Sequence, residues 1–584
     1  MGTRSPPVSR SEVERHGLTM SIRALALAVS VSALVTVACR PAAQRRTPAP
    51  RPTTVAAVES IYQDVRYLKD QIDVTKFRSA DRNLSGVPLT ELVRSYESTR
   101  ATFVSSLRAV VPSSLAPEDR RALDIMTRTL ERDLPPKLTS ATDSTTADSV
   151  DCRYNADTLA TGSKGRDVLA ERMYACYGIA ARHVEFRGQV LDRLTVLGML
   201  ARTDDAEVRR QLFLALSPVW RSVNGDDGPT SPYRHLVRLS AWEWRANGSP
   251  AKASARQLGI DPAKMEEWLL SILAKWREVT PNEMLEPWDY YYAAGRASRV
   301  LGPRIPRAML EVLDRRYYHS LGADPATLGI HYDLEPRPGK TPVAFTTFGA
   351  RARFRSGAWI PAEPWVFATY RVGGLDNLSE LLHETGHGIH IAAIRTRPAF
   401  ADWPDSDPFT EALGDLVALE VYEPAWQQRN LGDSVPLADS FRAKYASITL
   451  DIAWALFEVR MHRQPDADPN AVWTEITRDY LKIKPRPELS WWAMRGQLVD
   501  SPGYMMNYAI GSIIIADIRA RIRALHGSFT LGDSTWYSWV SPRLYRFGLE
   551  RPSRQVITEF LGRAVSPRAL LDDMSRVGNA ASSR

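Results

Sequence analysis

Residues 383–387 read His-Glu-Thr-Gly-His, and no other stretch limits the fold of this chain as tightly. Histidines four apart lie about 40° from each other around a helix, so both imidazoles can reach one metal ion. The glutamate beside the first histidine then points at the ion's open position. This arrangement demands a helix here and a third ligand brought in from elsewhere in the fold. The chain holds ten histidines in 584 residues. At that density such spacing arises by chance in about one chain in a hundred. Leu378, Leu381 and Leu382 precede the motif and Ile389 and Ile391 follow it, so the helix is apolar and buried. Asp376 or Asn377 can cap its start. Buried imidazoles need partners, and a metal supplies one.

An H-E-x-x-H-x-x-G-x-x-H pattern is absent, because position 390 is His and position 393 is Ala. The third ligand must come from further along. Glu411, 24 residues beyond His387, is the best candidate. Asp407 reads as an N-cap with Pro408 at the first helical position, so Glu411 lies early in a new helix. Asp415 follows one turn later on the same face, where it can accept the free N–H of a ligating histidine. A solvated first-turn glutamate is the alternative for Glu411, set against a helix too apolar to be a solvated face. Glu420 and Glu423 read as surface residues. His390 lies one turn beyond His387, off the ligand face, and reads as packing behind the site.

The segment 383–390, H-E-T-G-H-G-I-H, resembles the H-E-[FL]-G-H-A-x-H motif of the thimet oligopeptidase and oligoendopeptidase F group. Residues 355–358 (R-S-G-A), 364–370 (P-W-V-F-A-T-Y) and 285–292 (L-E-P-W-D-Y-Y-Y) resemble further segments of that group. Residues 409–419, F-T-E-A-L-G-D-L-V-A-L, are similar to the third-ligand helix of angiotensin-converting enzyme. The likeness runs from about residue 285 to 512 and reaches the N-terminal half only in helical character. It implies a helical zinc peptidase with one Zn²⁺ per chain held by His383, His387 and Glu411. Glu384 would be the general base and later proton donor, and Asp415 the orienting carboxylate. Gly357 and Ala358 would sit on an edge strand that pairs with the substrate backbone.

Amide hydrolysis also needs a donor for the developing oxyanion. Residues 502–512, P-G-Y-M-M-N-Y-A-I-G-S, resemble the G-Y-x-x-x-Y-x-x-G segment late in these peptidases. Tyr508 aligns with the catalytic tyrosine of the converting enzyme, and Tyr504 is its neighbour one turn earlier. Both families place a histidine about ten residues before this tyrosine. The stretch 491–503 contains none. Asn507 stands where the converting enzyme has a chloride-ligand arginine, so chloride activation is not implied. Arg495 or Gln497 either binds a substrate carboxylate or carbonyl, or serves only the helix surface.

Residues 20–38 form a basic start and a short apolar run, the shape of a signal peptide too short to span a bilayer comfortably. They end in T-V-A-C, which resembles a bacterial lipobox with Cys39 as the lipidated residue. An uncleaved anchor and an ordinary signal peptide are the alternatives. Residues 40–57, rich in Pro, Ala, Thr and Arg, then read as a tether and 58–584 as the peptidase domain. This arrangement implies an extracytoplasmic, membrane-anchored lipoprotein. The formal net charge is +8, and the first 57 residues hold eight arginines against Glu12 and Glu14. The remainder is near neutral, with no basic stripe interleaved with aromatics, which argues against nucleic-acid binding. Apart from Cys39 there are only Cys152 and Cys176, free or paired.

From residue 58 the pattern is helix after helix, with examples at 89–111, 117–133, 167–198, 206–223 and 264–276. Residues 134–166 form a Ser/Thr/Asp-rich loop, and strand-like alternation is confined to 342–372. The expected fold is mainly α, elongated and two-lobed, with a small β-sheet beside the metal helix and a deep central cleft. The resemblance implies a monomer acting on short peptides, as an oligopeptidase or peptidyl-dipeptidase. The alternative is a catalytically weak peptide-binding lipoprotein that keeps fold and metal.

Overall fold

A computed structural model of the chain describes residues 54–112, 115–138, 150–154, 162–228, 230–337, 340 and 343–582. Cys39 and the expected signal and tether segments before residue 54 lie outside them, while residues 55–57, expected to end the tether, already belong to the first helix, which Thr54 caps. Among the described residues no helix is long and apolar enough to cross a membrane. The fold is mainly helical with a few small sheets, as the hydrophobic periodicity predicts.

Two hydrophobic clusters organise it. The smaller is built by the helices Val55–Phe77, Leu89–Arg108 and Pro117–Arg132, which bury Val58, Tyr62, Leu92, Phe103 and Met126 against Ala399 and Phe400. The larger contains the helices around the histidine motif. Buried ion pairs tie the smaller cluster to the loops around 351 and 402, beside a further small cluster of Phe348, Ala352, Ile391 and Ala401. Arg66 of the first helix reaches Asp133 (3.4 Å) and Asp402 (3.0 Å), while Arg351 pairs with Asp70 and with Asp402 (3.1 Å). Each charge removed from water here is met by an opposite one, which such burial requires.

The predicted helices exist, with instructive differences. The stretch 167–198 is two helices, Gly162–Arg182 and Arg193–Arg202, split by a hairpin of Val184–Phe186 and Gln189–Leu191. Arg187 (φ +50°) and Gly188 (φ +77°) make its turn in the left-handed region that two-residue hairpins need. The stretch 206–223 is likewise two helices, Ala206–Ala215 and Ser217–Asn224, broken before Pro218. Strands are therefore not confined to 342–372. A three-stranded sheet has Trp365–Phe367 at its centre, parallel to His331–Asp333 and antiparallel to Phe345–Thr347.

The R-S-G-A segment is a separate hairpin of Arg353–Arg355 and Ala358–Ile360. Ser356 (φ +51°) and Gly357 (φ +79°) form its turn. Gly357 is thus a turn residue, not part of a substrate-pairing edge strand, and Ala358 only opens the return strand opposite Arg355. The hairpin backbone pairs instead with the first helix: Gln63 donates to Phe354 O (2.8 Å) and accepts its N–H (3.1 Å).

Glu420 and Glu423 are also not surface residues. After Ala418 the helix tightens into the 3₁₀ turn Leu419–Tyr422. Glu420 is fully buried, accepting from Arg519 (2.6 Å), Arg523 (2.8 Å) and the Thr530 hydroxyl (2.6 Å). Glu423 is buried and paired with Arg576 (3.0 Å). Cys152 and Cys176 form a disulfide.

Candidate metal and catalytic site

Two helices build the site. The histidine helix is Leu375–Ala393, burying Leu378, Leu381, Leu382, Ile389 and Ile391. Gly374, at φ +111°, is the residue before its first turn, so neither Asp376 nor Asn377 caps it. Asp376 accepts from the Ser298 hydroxyl (2.9 Å), and the Asn377 amide donates back to Val372 O (2.9 Å). The acid helix is Asp407–Ala418, with Ser406 as the cap residue and Asp407 already inside.

The two helices approach closely because glycines face each other. A Cβ on Gly386 would come within 2.5 Å of Gly414 O. A Cβ on Gly414 would lie 2.8 Å from both Cε1 and Nε2 of His387 and 3.0 Å from Cε1 of His383. The absent methyl is what leaves room for the two imidazoles.

In that space His383 Nε2 and His387 Nε2 are 3.0 Å apart, and His383 Nε2 is 3.5 Å from Glu411 Oε2. One ligating atom from each of His383, His387 and Glu411 lies within 4.8 Å of the others. Asp415 Oδ1 is 2.9 Å from His383 Nδ1. With Asp415 accepting that N–H, Nε2 is the ring nitrogen of His383 left to face its partners. Burial opposes charge on His383, but Asp415 and Glu411 outweigh it and hold its pKa well above the ordinary value. The position therefore attracts positive charge. His387 is pushed down to about 4 by burial and by its neighbour. Burial also opposes charge on Glu411, and the two histidines overcome it, keeping the carboxylate below its usual range. Once a cation displaces the proton that His383 holds in the metal-free chain, two imidazole nitrogens, one carboxylate and a glycine cradle suit zinc in both number and chemistry.

Asp415→Asn should therefore weaken zinc binding about 10- to 100-fold with little loss of fold, since the amide no longer enforces the His383 tautomer. Zinc titration against a competing chelator measures this, and wild-type affinity would remove the orienting role.

Glu384 stands next to these three side chains, 6% exposed. The Thr346 hydroxyl donates to its Oε2 (2.8 Å) and to its backbone carbonyl (2.7 Å), so the central sheet holds the carboxylate from behind. Burial first, with Glu411 and Glu380 adding to it, pushes this carboxyl up to about 7. Thr385 and Tyr332 both donate to the buried Asp314 (3.0 and 2.8 Å), tying the same face of the helix to the strand His331–Asp333. His390 ligates nothing. It is fully buried, its ring tilted against Trp403 (5.7 Å) and Tyr545 (5.5 Å), and desolvation takes it down to about 3. Trp403 also packs against His387 (5.5 Å).

The two tyrosines diverge. Both belong to the turn and helix around Met505–Leu525, with ring centroids 5.6 Å apart. Burial, then Asp407, Tyr508 and Glu411, hold the Tyr504 phenol well above its usual pKa, so this hydroxyl feels the ligand carboxylate and keeps its proton. Tyr508 instead meets Gln497 (3.5 Å from its amide nitrogen) and lies under Arg495 (5.6 Å). Arg495 is buried and ion-paired with Asp451, so it does not serve the helix surface and is already committed as a cation. Gln497 is likewise buried.

Thr346, Trp403 and Asp314 carry no sequence signal of their roles, because each acts through a neighbour distant in the chain. Gly414 did carry one: an isolated glycine inside a strongly helical, apolar stretch.

No protein-family profile and no curated protein matches the sequence. Solved structures do match. The chain overlays a structure described as PZ peptidase A with inhibitor 2 at a TM-score of 0.54 and 13% identity, over 84% of this chain and 88% of that one. It overlays the M32 carboxypeptidase from Deinococcus radiodurans R1 at 0.53 and 14% identity, over 90% of this chain and 97% of that one. The chain shares the overall fold of these two structures. The likeness spans nearly the whole of both partners, including the N-terminal half that the motifs do not reach. At these identities it establishes architecture, and the finer resemblances to thimet oligopeptidase and the converting enzyme rest on the motifs alone.

Proposed function

We propose that this chain is a zinc-dependent peptidase acting on short oligopeptides. The observation that carries the reading is the convergence of His383, His387 and Glu411 across two glycine-cradled helices, with Glu384 beside them. Both overlaid structures are themselves named as peptidases. His383, His387 and Glu411 would hold the ion, which when bound supplies Lewis-acid polarisation of the scissile carbonyl and lowers the pKa of water.

The protein groups then divide the proton work. Glu384 takes a proton from the attacking water and delivers it to the departing amine nitrogen. Burial holds this carboxyl above its ordinary range in the metal-free chain, which favours proton uptake by it. Thr346 anchors one carboxylate oxygen and leaves the other for this exchange. Asp415 holds the His383 tautomer. A protonated Tyr504 supplies a hydrogen bond to the oxygen on which charge develops. Tyr504→Phe should lower kcat while largely sparing KM, and more than Tyr508→Phe does. The reverse order in steady-state kinetics would move the oxyanion role to Tyr508.

The reading is tested by metal analysis of the purified chain and turnover of quenched peptides before and after chelation. Bound zinc with no cleavage of any peptide would favour a peptide-binding protein instead. Mass spectrometry of products from peptides of graded length separates internal cleavage from removal of C-terminal residues. The disulfide Cys152–Cys176 supports an extracytoplasmic location, because such pairs persist in oxidising compartments. We extend the proposal to a lipid anchor at Cys39, to be checked by intact mass of the membrane fraction.

A further inference from the structure

Glu458 lies near the end of the helix Leu437–Arg463, 3% exposed, and its two carboxylate oxygens go to one place. Oε1 accepts the Gly503 N–H (2.7 Å) and Oε2 accepts the Met505 N–H (3.0 Å). These two amides flank Tyr504. The first N–H groups of a helix have no partner within it, and Tyr504, the cap residue here, brings no side-chain acceptor. A carboxyl group from another helix takes that place; burial pushes its pKa up to about 8, and the two N–H donors at the positive end of the dipole oppose that shift.

The turn is gripped from a second side. Gly503 has φ +93°, and a Cβ there would meet the Trp244 ring at 3.0 Å. Trp244 packs at a tilt against His462 (3.9 Å between centroids), one turn beyond Glu458 on the same helix. The backbone on both sides of Tyr504 is therefore set by the helix Leu437–Arg463, which supplies none of the three metal donors. A phenol that must meet a developing charge within hydrogen-bond range depends on such support, because small errors in placement reduce rate steeply.

We propose that Glu458 is a positioning residue for peptide hydrolysis: by holding the Gly503 and Met505 amides it sets where Tyr504 points. This inference rests on the peptidase reading and on Tyr504 as the oxyanion donor.

The test is a double-mutant cycle with Glu458→Gln and Tyr504→Phe in the zinc-loaded, full-length chain. Glu458→Gln keeps the shape but places an amide NH₂ against one of the two N–H groups. Its kcat is expected to fall about 10- to 100-fold with zinc content and KM near wild type. In the Tyr504→Phe background the same substitution is expected to cost almost nothing, since there is no phenol left to place. A loss that persists in full in that background overturns the proposal, because it shows an effect not exerted through Tyr504. Unchanged kcat in Glu458→Gln beside an active parent overturns it alone. Absence of turnover in the unmodified chain removes the peptidase reading and this proposal together. Should Glu458→Gln fail to fold, Glu458→Asp, which keeps the charge but draws it back by one methylene, runs the same cycle with the same criteria.

Discussion

Glu384→Gln should bind zinc like the wild type and hydrolyse peptides about 10²- to 10⁴-fold more slowly. The amide preserves the oxygen that accepts from Thr346, and the three donors stay in place, so nothing in the packing has to move. What is lost is the ability to take and return a proton. Metal content by elemental analysis and turnover of a quenched peptide, measured on the same preparation, check the two halves separately. Near-normal turnover would remove the mechanism. Loss of zinc would mean that Glu384 supports the ligands, not the reaction.

Gly414→Ala should abolish high-affinity zinc binding without unfolding the protein. A glycine in a helix interior costs about 0.5–1 kcal/mol relative to alanine, so on propensity alone the change is stabilising. The added methyl would nevertheless sit 2.8 Å from two ring atoms of His387 and 3.0 Å from His383. The imidazoles must swing away, and the donors no longer converge. The expected signature is a thermal midpoint of the metal-free protein close to wild type, with the stabilisation normally added by zinc missing. Calorimetry with and without zinc reads both. A full zinc-dependent shift in Gly414→Ala would show that the glycine is not the cradle.

How much of this was legible beforehand depends on sequence distance. The histidine helix and Glu411 were legible because ligand spacing and apolar periodicity are local properties. Asp415 was legible for the same reason, lying one turn from Glu411. The helix starts were misjudged by a residue or two: the chain enters the histidine helix through a left-handed glycine and the acid helix through Ser406. The hairpins at 184–191 and 353–360 were harder, since their turns are Arg-Gly and Ser-Gly and not the usual Asn-Gly or Asp-Gly. Glu420, and the surface alternative for Arg495, were misread because a buried charge is recognised by its partner. Arg519 lies about a hundred positions from Glu420, and Asp451 over forty from Arg495. Nothing local distinguishes such residues from solvated ones.

The pairing of Arg66 and Arg351 on Asp402 bears on how this protein can be cut down for study. Asp402 immediately precedes Trp403, the indole that packs against the second histidine of the motif. A fragment beginning near residue 285, where the recognisable segments start, would strip one guanidinium from that aspartate and leave the loop beside the ligands unsupported. The amino-terminal helices thus support the candidate site, and any shortened version meant to keep that site has to include them.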